Sequence, residues 1–271
     1  MTGETASEPE VLTARSGRTF VITLNRPRVR NAINGAVARG IHAALDELEA
    51  DPSLSVGILH GAGAGFCAGN DLKSLGIAGD SSMTGRGFAG IVERPGAKPL
   101  IAAVEGFAAG GGFEIALACD LIVAGRSARF MLPEVSRGLV AGGGGILRLL
   151  QRAPRGVALE LLLTGATTTA EQLGTWGVLN RVVDDGDALA AAHVLADAIA
   201  ANSPVALAAT KRIIDESADW PEAEFFERQR PILTEAVRSP DAREGARAFL
   251  EKRAPQWPSA RAHAATDERK S

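Results

Sequence analysis

Three short apolar runs recur along the first half of the chain: 54–61 (LSVGILHG), 99–106 (PLIAAVEG) and 120–125 (DLIVAG). Each has the length of a strand. Between and after them lie helical runs at 113–118, 144–153, 155–165 and 169–177. Buried strands alternating with helices predict stacked βα or ββα units and an α/β fold. The N-terminal flank agrees. Residues 10–27 (EVLTARSGRTFVITLNRP) hold two β-rich runs about a Ser16-Gly17 turn, the pattern of a hairpin. Residues 34–52 place Val37, Ile41, Ala44, Leu45 and Leu48 on one helical face and stop at Pro52.

From about residue 187 the character changes. Four helical segments, 187–202, 204–220, 221–239 and 240–255, follow one another with proline between them. They predict a second layer, either a cover or an assembly element. The expected organisation is a disordered start at 1–8, a core with the active site at 9–200, a helical region at 201–258 and a polar, disordered tail at 259–271. Residues 76–87 (GIAGDSSMTGRG) read as a mobile loop, and no fixed-period repeat is evident.

Composition removes several functions. With 29 basic and 32 acidic residues, scattered rather than blocked, the chain has no overall footprint for nucleic acid. Cys67 and Cys119 sit in apolar surroundings without metal-ligand spacing, which suits a reducing cytoplasm. The histidines at 42, 60, 193 and 263 are far apart, so no metal site is expected. The acidic start lacks the apolar run of a signal peptide. Residues 98–125 are apolar overall, but Glu105, Glu114 and Asp120 interrupt them, against the roughly 20 apolar residues a membrane helix needs.

Glu114 is the informative interruption. It stands alone in 107–120 (FAAGGGFEIALACD), and a buried carboxylate has to be paired, be held neutral, or have chemistry to do. Three glycine-rich places compete to explain it. In 60–72, Gly63, Gly65 and Ala68 loosely match a dinucleotide fingerprint, but no long helix and no later ribose-binding acid follow. No glycine run is followed by the Lys-Ser/Thr of a P-loop. In 108–119 and 139–149 the glycines precede apolar helical runs. They serve close packing there, or they aim N–H groups at an anionic oxygen. A second acid, Glu134, follows Pro133 in a similar setting, either in an ion pair with Arg129 or Arg137 or in catalysis. Spacing alone does not bring Glu114 and Glu134 together.

Taken in order, 21–33 (VITLNRPRVRNAI), 65–75 (GFCAGNDLKSL), 98–125, 130–149 (FMLPEVSRGLVAGGGGILRL), 161–183, 209–214 and 242–257 resemble the crotonase (enoyl-CoA hydratase/isomerase) superfamily. The resemblance spans residues 10–257. It implies a crotonase-like spiral of ββα units with a C-terminal helical trimerisation region. It also implies an oxyanion hole, made by the backbone N–H groups of Asn70 and Gly111, for the carbonyl oxygen of an acyl-CoA thioester. Glu114 and Glu134 then hold a water that adds across a 2-enoyl double bond, as in the hydratases. Arg28, Arg30, Ala68, Asp71, Leu72, Gly112 and Lys252 are expected near the coenzyme A moiety. No cofactor is implied beyond the coenzyme A of the substrate, and the assembly implied is a homotrimer or a pair of trimers in the cytoplasm, without nucleic acid or membrane. A glycine run without its usual preceding proline, in GLVAGGGG, resembles carnitinyl-CoA dehydratase-like members. An isomerase is the other enzymatic alternative, disfavoured because it needs Glu134 alone. A non-catalytic, RNA-binding homologue is disfavoured by the charge balance and by both acids.

Overall fold

The computed structural model describes residues 8–73, 81–94 and 96–261. The hairpin is present: β1 (Val11–Ser16) pairs antiparallel with β2 (Thr19–Leu24), Val11 opposite Leu24 and Ser16 opposite Thr19. Helix α1 (Gly35–Ala50) follows, its first turn capped by the Asn34 side chain on the Val37 N–H at 2.9 Å. The chain continues through β3 (Val56–Gly61), a two-residue hairpin β4 (Met83–Thr84) and β5 (Gly87–Phe88), β6 (Leu100–Val104), β7 (Phe107–Ala109) and α2 (Gly111–Ala118). Next come β8 (Leu121–Gly125), β9 (Arg129–Met131), α3 (Gly145–Arg152), α4 (Arg155–Thr164), β10 (Thr168–Thr169), α5 (Ala170–Thr175) and β11 (Arg181–Val183). Five helices close the chain: α6 (Ala188–Ala200), α7 (Pro204–Ser217), α8 (Phe225–Arg238), α9 (Pro240–Leu250) and α10 (Pro258–Arg261).

The main sheet runs β1-β2-β3-β6-β8-β11, parallel from β2 onward. Its central strands read as unbroken apolar runs because both faces are covered. Along β6, Leu100, Ala102 and Val104 enter the larger core, which is closed by α1 and α2. Ile101 and Ala103 face the other way, onto Ala188, Ala192 and Ala196 of α6. Alanine at every fourth position gives α6 a small-residue stripe on the sheet. It therefore belongs to the α/β body rather than to the outer layer, although its sequence resembles the helices that follow. Among the described residues no single helix is long and apolar enough to cross a membrane. Only α6 and α7 together meet that length, and they are bent by 105°.

A second, smaller sheet, β10-β9-β7, stands beside the first, and single bridges extend it from Cys67 to Ala108 and from Ile33 to Asn70. Strand pairs β6/β7 and β8/β9 thus each give one strand to both sheets before their helix, a ββα unit.

The C-terminal helices are tied down by buried charge. Lys211 of α7 pairs with Asp120 and with Asp215, the latter at 3.2 Å. Asp241 at the start of α9 is 1% exposed and accepts from the hydroxyls of Ser203 and Ser259, each at 2.6 Å, and from the Ser259 N–H at 3.0 Å. These bonds hold α10 in place, so residues 259–261, expected within the disordered tail, form a helical turn. Residues 1–7 of the expected disordered start, 262–271 of the tail and 76–80 of the expected loop lie outside the described residues.

Burial raises the pKa of Asp241, but the Ser203 and Ser259 donors and the nearby Arg18 outweigh it and hold the carboxyl below its usual range. Its contribution to stability is complete above the unfolded-state pKa and is lost as pH falls through the depressed folded value. Replacing Asp241 with Ala should cost about 1–3 kcal/mol by orphaning its donors. Urea unfolding at neutral pH measures that loss, and the wild-type and Asp241→Ala curves should converge in acid.

Candidate active site

Most of the candidate groups sit beyond the ends of β2, β3, β7 and β9, where the two sheets meet. Beyond β3, the chain at 62–70 is gripped by Asn31, whose side-chain amide donates to the carbonyls of Ala62 and Gly65, both at 2.9 Å. The Ala68 N–H donates to the Arg30 carbonyl at 3.0 Å, and the Gly69 carbonyl accepts from Ile33 at 2.8 Å. The Asn70 N–H takes no part in this ladder. Beyond β6 and β7, Gly110 adopts φ +54° and ψ −126°, a region that a side chain strongly disfavours, and α2 starts at Gly111. As the first residue of a helix, Gly111 has an N–H without an intrahelical partner. The two segments touch. A Cβ added at Gly69 would lie 3.0 Å from the Gly111 nitrogen, so the chain just before Asn70 runs against the start of α2.

Glu114 lies on the first turn of α2, 4% exposed. Its Oε1 accepts the Gly145 N–H at 2.9 Å, and the Gly143 N–H also faces the carboxylate. A Cβ at 143 or 145 would crowd the Glu114 oxygens at 2.7 and 3.0 Å, so a side chain at either position would shift the carboxylate or the loop. The third glycine run therefore does aim its N–H groups at an anionic oxygen, and that oxygen belongs to the chain itself. Burial raises the pKa of Glu114 and the charge of Glu134 adds to the rise, while the glycine donors and Arg148 oppose it.

Glu134 opens a 3₁₀ turn, Glu134–Arg137, that follows β9. Its Oε1 is 3.0 Å from where a Cβ on Gly110 would stand, which puts the carboxyl directly beside the start of α2. Its Oε2 is buried without a hydrogen-bond partner among the described residues. Arg129 donates instead to the carbonyls of Ser127 and Ala128, and Arg137 acts on Glu134 only at a distance. Burial is the largest influence and raises the pKa of Glu134.

The other candidates divide. Arg28 and Arg30 are exposed at the rim, in and just after the 3₁₀ turn Pro27–Val29. Ala68 lies beside them through its bond to Arg30. Leu72 is exposed, while the Asp71 carboxylate is held by Arg26 at 3.1 Å. Gly112 packs on the Cys67 carbonyl, which leaves no room for a side chain. Lys252 follows α9, which packs on α8 and α10, so the chain by itself does not bring it to the other groups. Asn31, Gly143, Gly145 and Arg148 were not singled out from the sequence. A tight glycine run after an acid is the only signal that pointed near them. The cysteines are unpaired, with burial pushing the Cys67 thiol up to about 12. No cluster of potential metal ligands occurs among the described residues. A cavity of about 1680 Å³ opens at the other end of α2, by Asp120, Arg152 and Lys211, and none of the candidate residues lines it.

A buried acid on the first turn of α2 and a half-buried acid beside Gly110, on a fold of ββα units, define the class of fold and site in which this chain is to be compared. Comparison with known proteins identifies that class. Residues 15–260 match the family described as enoyl-CoA hydratase/isomerase. The chain is 43% identical to the enoyl-CoA hydratase EchA19 of Mycobacterium tuberculosis over 93% of its length and 97% of that protein. It is 41% identical to a carnitinyl-CoA dehydratase of Proteus mirabilis, covering 91% and 97%. A crystal structure of an enoyl-CoA hydratase from M. tuberculosis superposes with a TM-score of 0.91 at 51% identity, covering 93% of this chain and all of that one. The chain belongs to the enoyl-CoA hydratase/isomerase family and has the crotonase fold.

The clearest structural test of the site is Gly143→Ala. The added methyl would stand 2.7 Å from Glu114 Oε2, so the carboxylate should be displaced from the Gly145 N–H in a crystal structure of the variant. An undisturbed carboxylate would show that the 142–145 segment yields instead.

Proposed function

We propose that this protein is an enoyl-CoA hydratase, a hydro-lyase that adds water syn across the α,β-double bond of a 2-enoyl-CoA thioester. The observation that supports the reading is the Glu134 carboxyl beside Gly110, its charge reaching Glu114 on the first turn of the helix that Gly111 begins. The thioester carbonyl oxygen accepts from the Asn70 and Gly111 N–H groups, and the positive end of the α2 dipole adds to them. As negative charge builds on that oxygen, each donor lowers the barrier by roughly 3–4 kcal/mol. Glu114, held ionised by the glycine donors, takes a proton from water as its oxygen bonds to Cβ. Glu134, whose pKa burial raises, delivers a proton to Cα from its neutral form. A proton passing from Glu114 to Glu134 restores the starting state.

Arg28, Arg30 and the backbone about Ala68 suit the phosphates and adenine of coenzyme A at the rim, with Asp71, Leu72 and Gly112 shaping the floor between. Lys252 suits a phosphate only if it comes from a neighbouring subunit. That fits a homotrimer or a pair of trimers, with residues 9–200 carrying the site and 201–258 serving assembly. On α8, Ile232 is buried while Phe226, Leu233 and Val237 remain exposed, as do Phe249 and Leu250 at the end of α9. A cytoplasmic place in fatty-acid or related acyl-CoA degradation follows from this substrate class, and the scheme uses no cofactor.

The carnitinyl-CoA dehydratase relative favours a second reading, the reverse elimination on a hydroxyacyl-CoA, which the same two acids serve. The deciding assay follows loss of the conjugated enoyl absorbance with crotonyl-CoA and its appearance with carnitinyl-CoA. Glu114→Gln and Glu134→Gln should each lower kcat about 10²–10⁴-fold. Because both carboxyls titrate above their usual range, the acid limb of kcat should lie above the ordinary glutamate value, with activity rising as Glu114 ionises and falling as Glu134 does. If Glu114→Gln kept isomerase turnover while losing hydration, the isomerase reading would replace this one.

A further inference from the structure

One cation whose charge reaches Glu114 has no part in the chemistry above. Arg148 is the fourth residue of α3, and its side chain folds back over the helix start. Glycine at 144, with φ +89°, makes room for it, since a Cβ there would lie 2.1 Å from Arg148 Nη1. Nη1 donates to the Gly143 carbonyl at 3.4 Å and Nη2 to the Val92 carbonyl. The Val92 N–H donates to Phe88 at 3.3 Å, and the Phe88 ring edge lies 2.6 Å from where a Cβ on Gly111 would stand. One guanidinium thus spans two segments of the site: the run at 143–145 that holds Glu114, and the turn at 88–92 that backs Gly111. Both bonds go to neutral carbonyls, and the charge reaches Glu114.

We propose that Arg148 is a positioning residue, holding the Glu114 carboxylate and the Gly111 donor in one frame and keeping a positive charge behind Glu114. The proposal rests on the hydratase reading for its kinetic consequence, but not for its effect on Glu114 itself. The titratable and charged groups facing Glu114 are Glu134, from the turn at 134–137, and Arg148, from α3. Around Arg148 stand Arg152, one turn further along α3, and Cys119, whose thiol burial keeps neutral. Removing the cation withdraws stabilisation from ionised Glu114 alone, so its titration must move to higher pH.

The test compares wild type, Arg148→Gln and Arg148→Lys in two ways: by steady-state kinetics on crotonyl-CoA, and by infrared titration of the carboxyl bands of protein labelled with ¹³C-glutamate. Acetyl-CoA binding checks that the site remains folded. Arg148→Gln should lower kcat about 10²-fold through misplacement, with KM nearly unchanged, and shift the Glu114 titration and the acid limb of kcat upward together. Arg148→Lys keeps the charge but lacks the fork that reaches two carbonyls. It should lower kcat while leaving the titration near its wild-type position. An unmoved Glu114 titration in Arg148→Gln overturns the proposal, whether activity persists or acetyl-CoA binding is lost with it. A shifted titration in a protein whose wild type hydrates no enoyl thioester would sustain the positioning role and remove the hydratase reading instead.

Discussion

The Glu114 carboxylate lies inside a helix whose other side chains are apolar, and the rest of the site is shaped by what that burial requires. Removing a carboxylate from water costs several kcal/mol unless fixed dipoles replace the lost hydration. Here they are the N–H groups of Gly143 and Gly145, the N-terminal end of α2 and the charge of Arg148. Each makes its own demand on the backbone. Donors that approach so closely leave no space for a Cβ at 143 or 145, and Arg148 leaves none at 144. The glycine runs at 110–112 and 142–145 thus form the two halves of one device. The first exposes the Gly111 N–H, and the second solvates the acid that stands three residues after it.

The two sheets convert positions along the chain into positions in the site. Strands β3, β6 and β8 are parallel, so their exits lie at one edge of the main sheet, where ligands of open parallel sheets commonly bind. The small sheet then sets the fine register. Cys67 bridges to Ala108, Ala108 is paired with Phe130, and the Gly110 N–H donates to the Met131 carbonyl at 2.9 Å. These contacts place the chain before Asn70, the chain before Gly111 and the chain before Glu134 side by side. A slip of one residue in any of them would point the wrong side chain or the wrong N–H into the same space.

The elements most legible in the sequence are those with the longest apolar signal. The hairpin, α1, β3, β6, β8 and the C-terminal helices stand where the patterns put them. By contrast, β7, β9 and β10 have two or three residues each, too few for a period, and they are the strands that align the site. The repeated alanines of α6 do not reveal whether a helix covers a sheet or meets another chain, because a small-residue stripe suits both. From residues alone, Glu114 and Glu134 were two acids 20 positions apart, and only the family resemblance paired them. The run at 142–145 was readable as a cradle for an anion, but a sequence does not state whose oxygen occupies it. Arg148 left no trace, since an arginine on an amphipathic helix looks like a solvated charge until the backbone at Gly144 turns it inward.

The asymmetry between the two acids follows from the same accounting. Burial raises the pKa of both, yet their donors differ: a glycine run serves Glu114, while Glu134 has only its own backbone N–H. Glu114 has two backbone N–H groups and a nearby guanidinium, while Glu134 keeps one buried oxygen without a partner. An unpaired buried acceptor costs about 1–3 kcal/mol, and a structure retains such a group where something else completes it. The charge of Glu134 raises the pKa of Glu114, so the two carboxyls do not ionise independently, and the glycine donors at 143 and 145 work against that rise. Burial raises the pKa of both carboxyls, and at Glu114 the charge of Glu134 and the donors of the glycine run then pull in opposite directions.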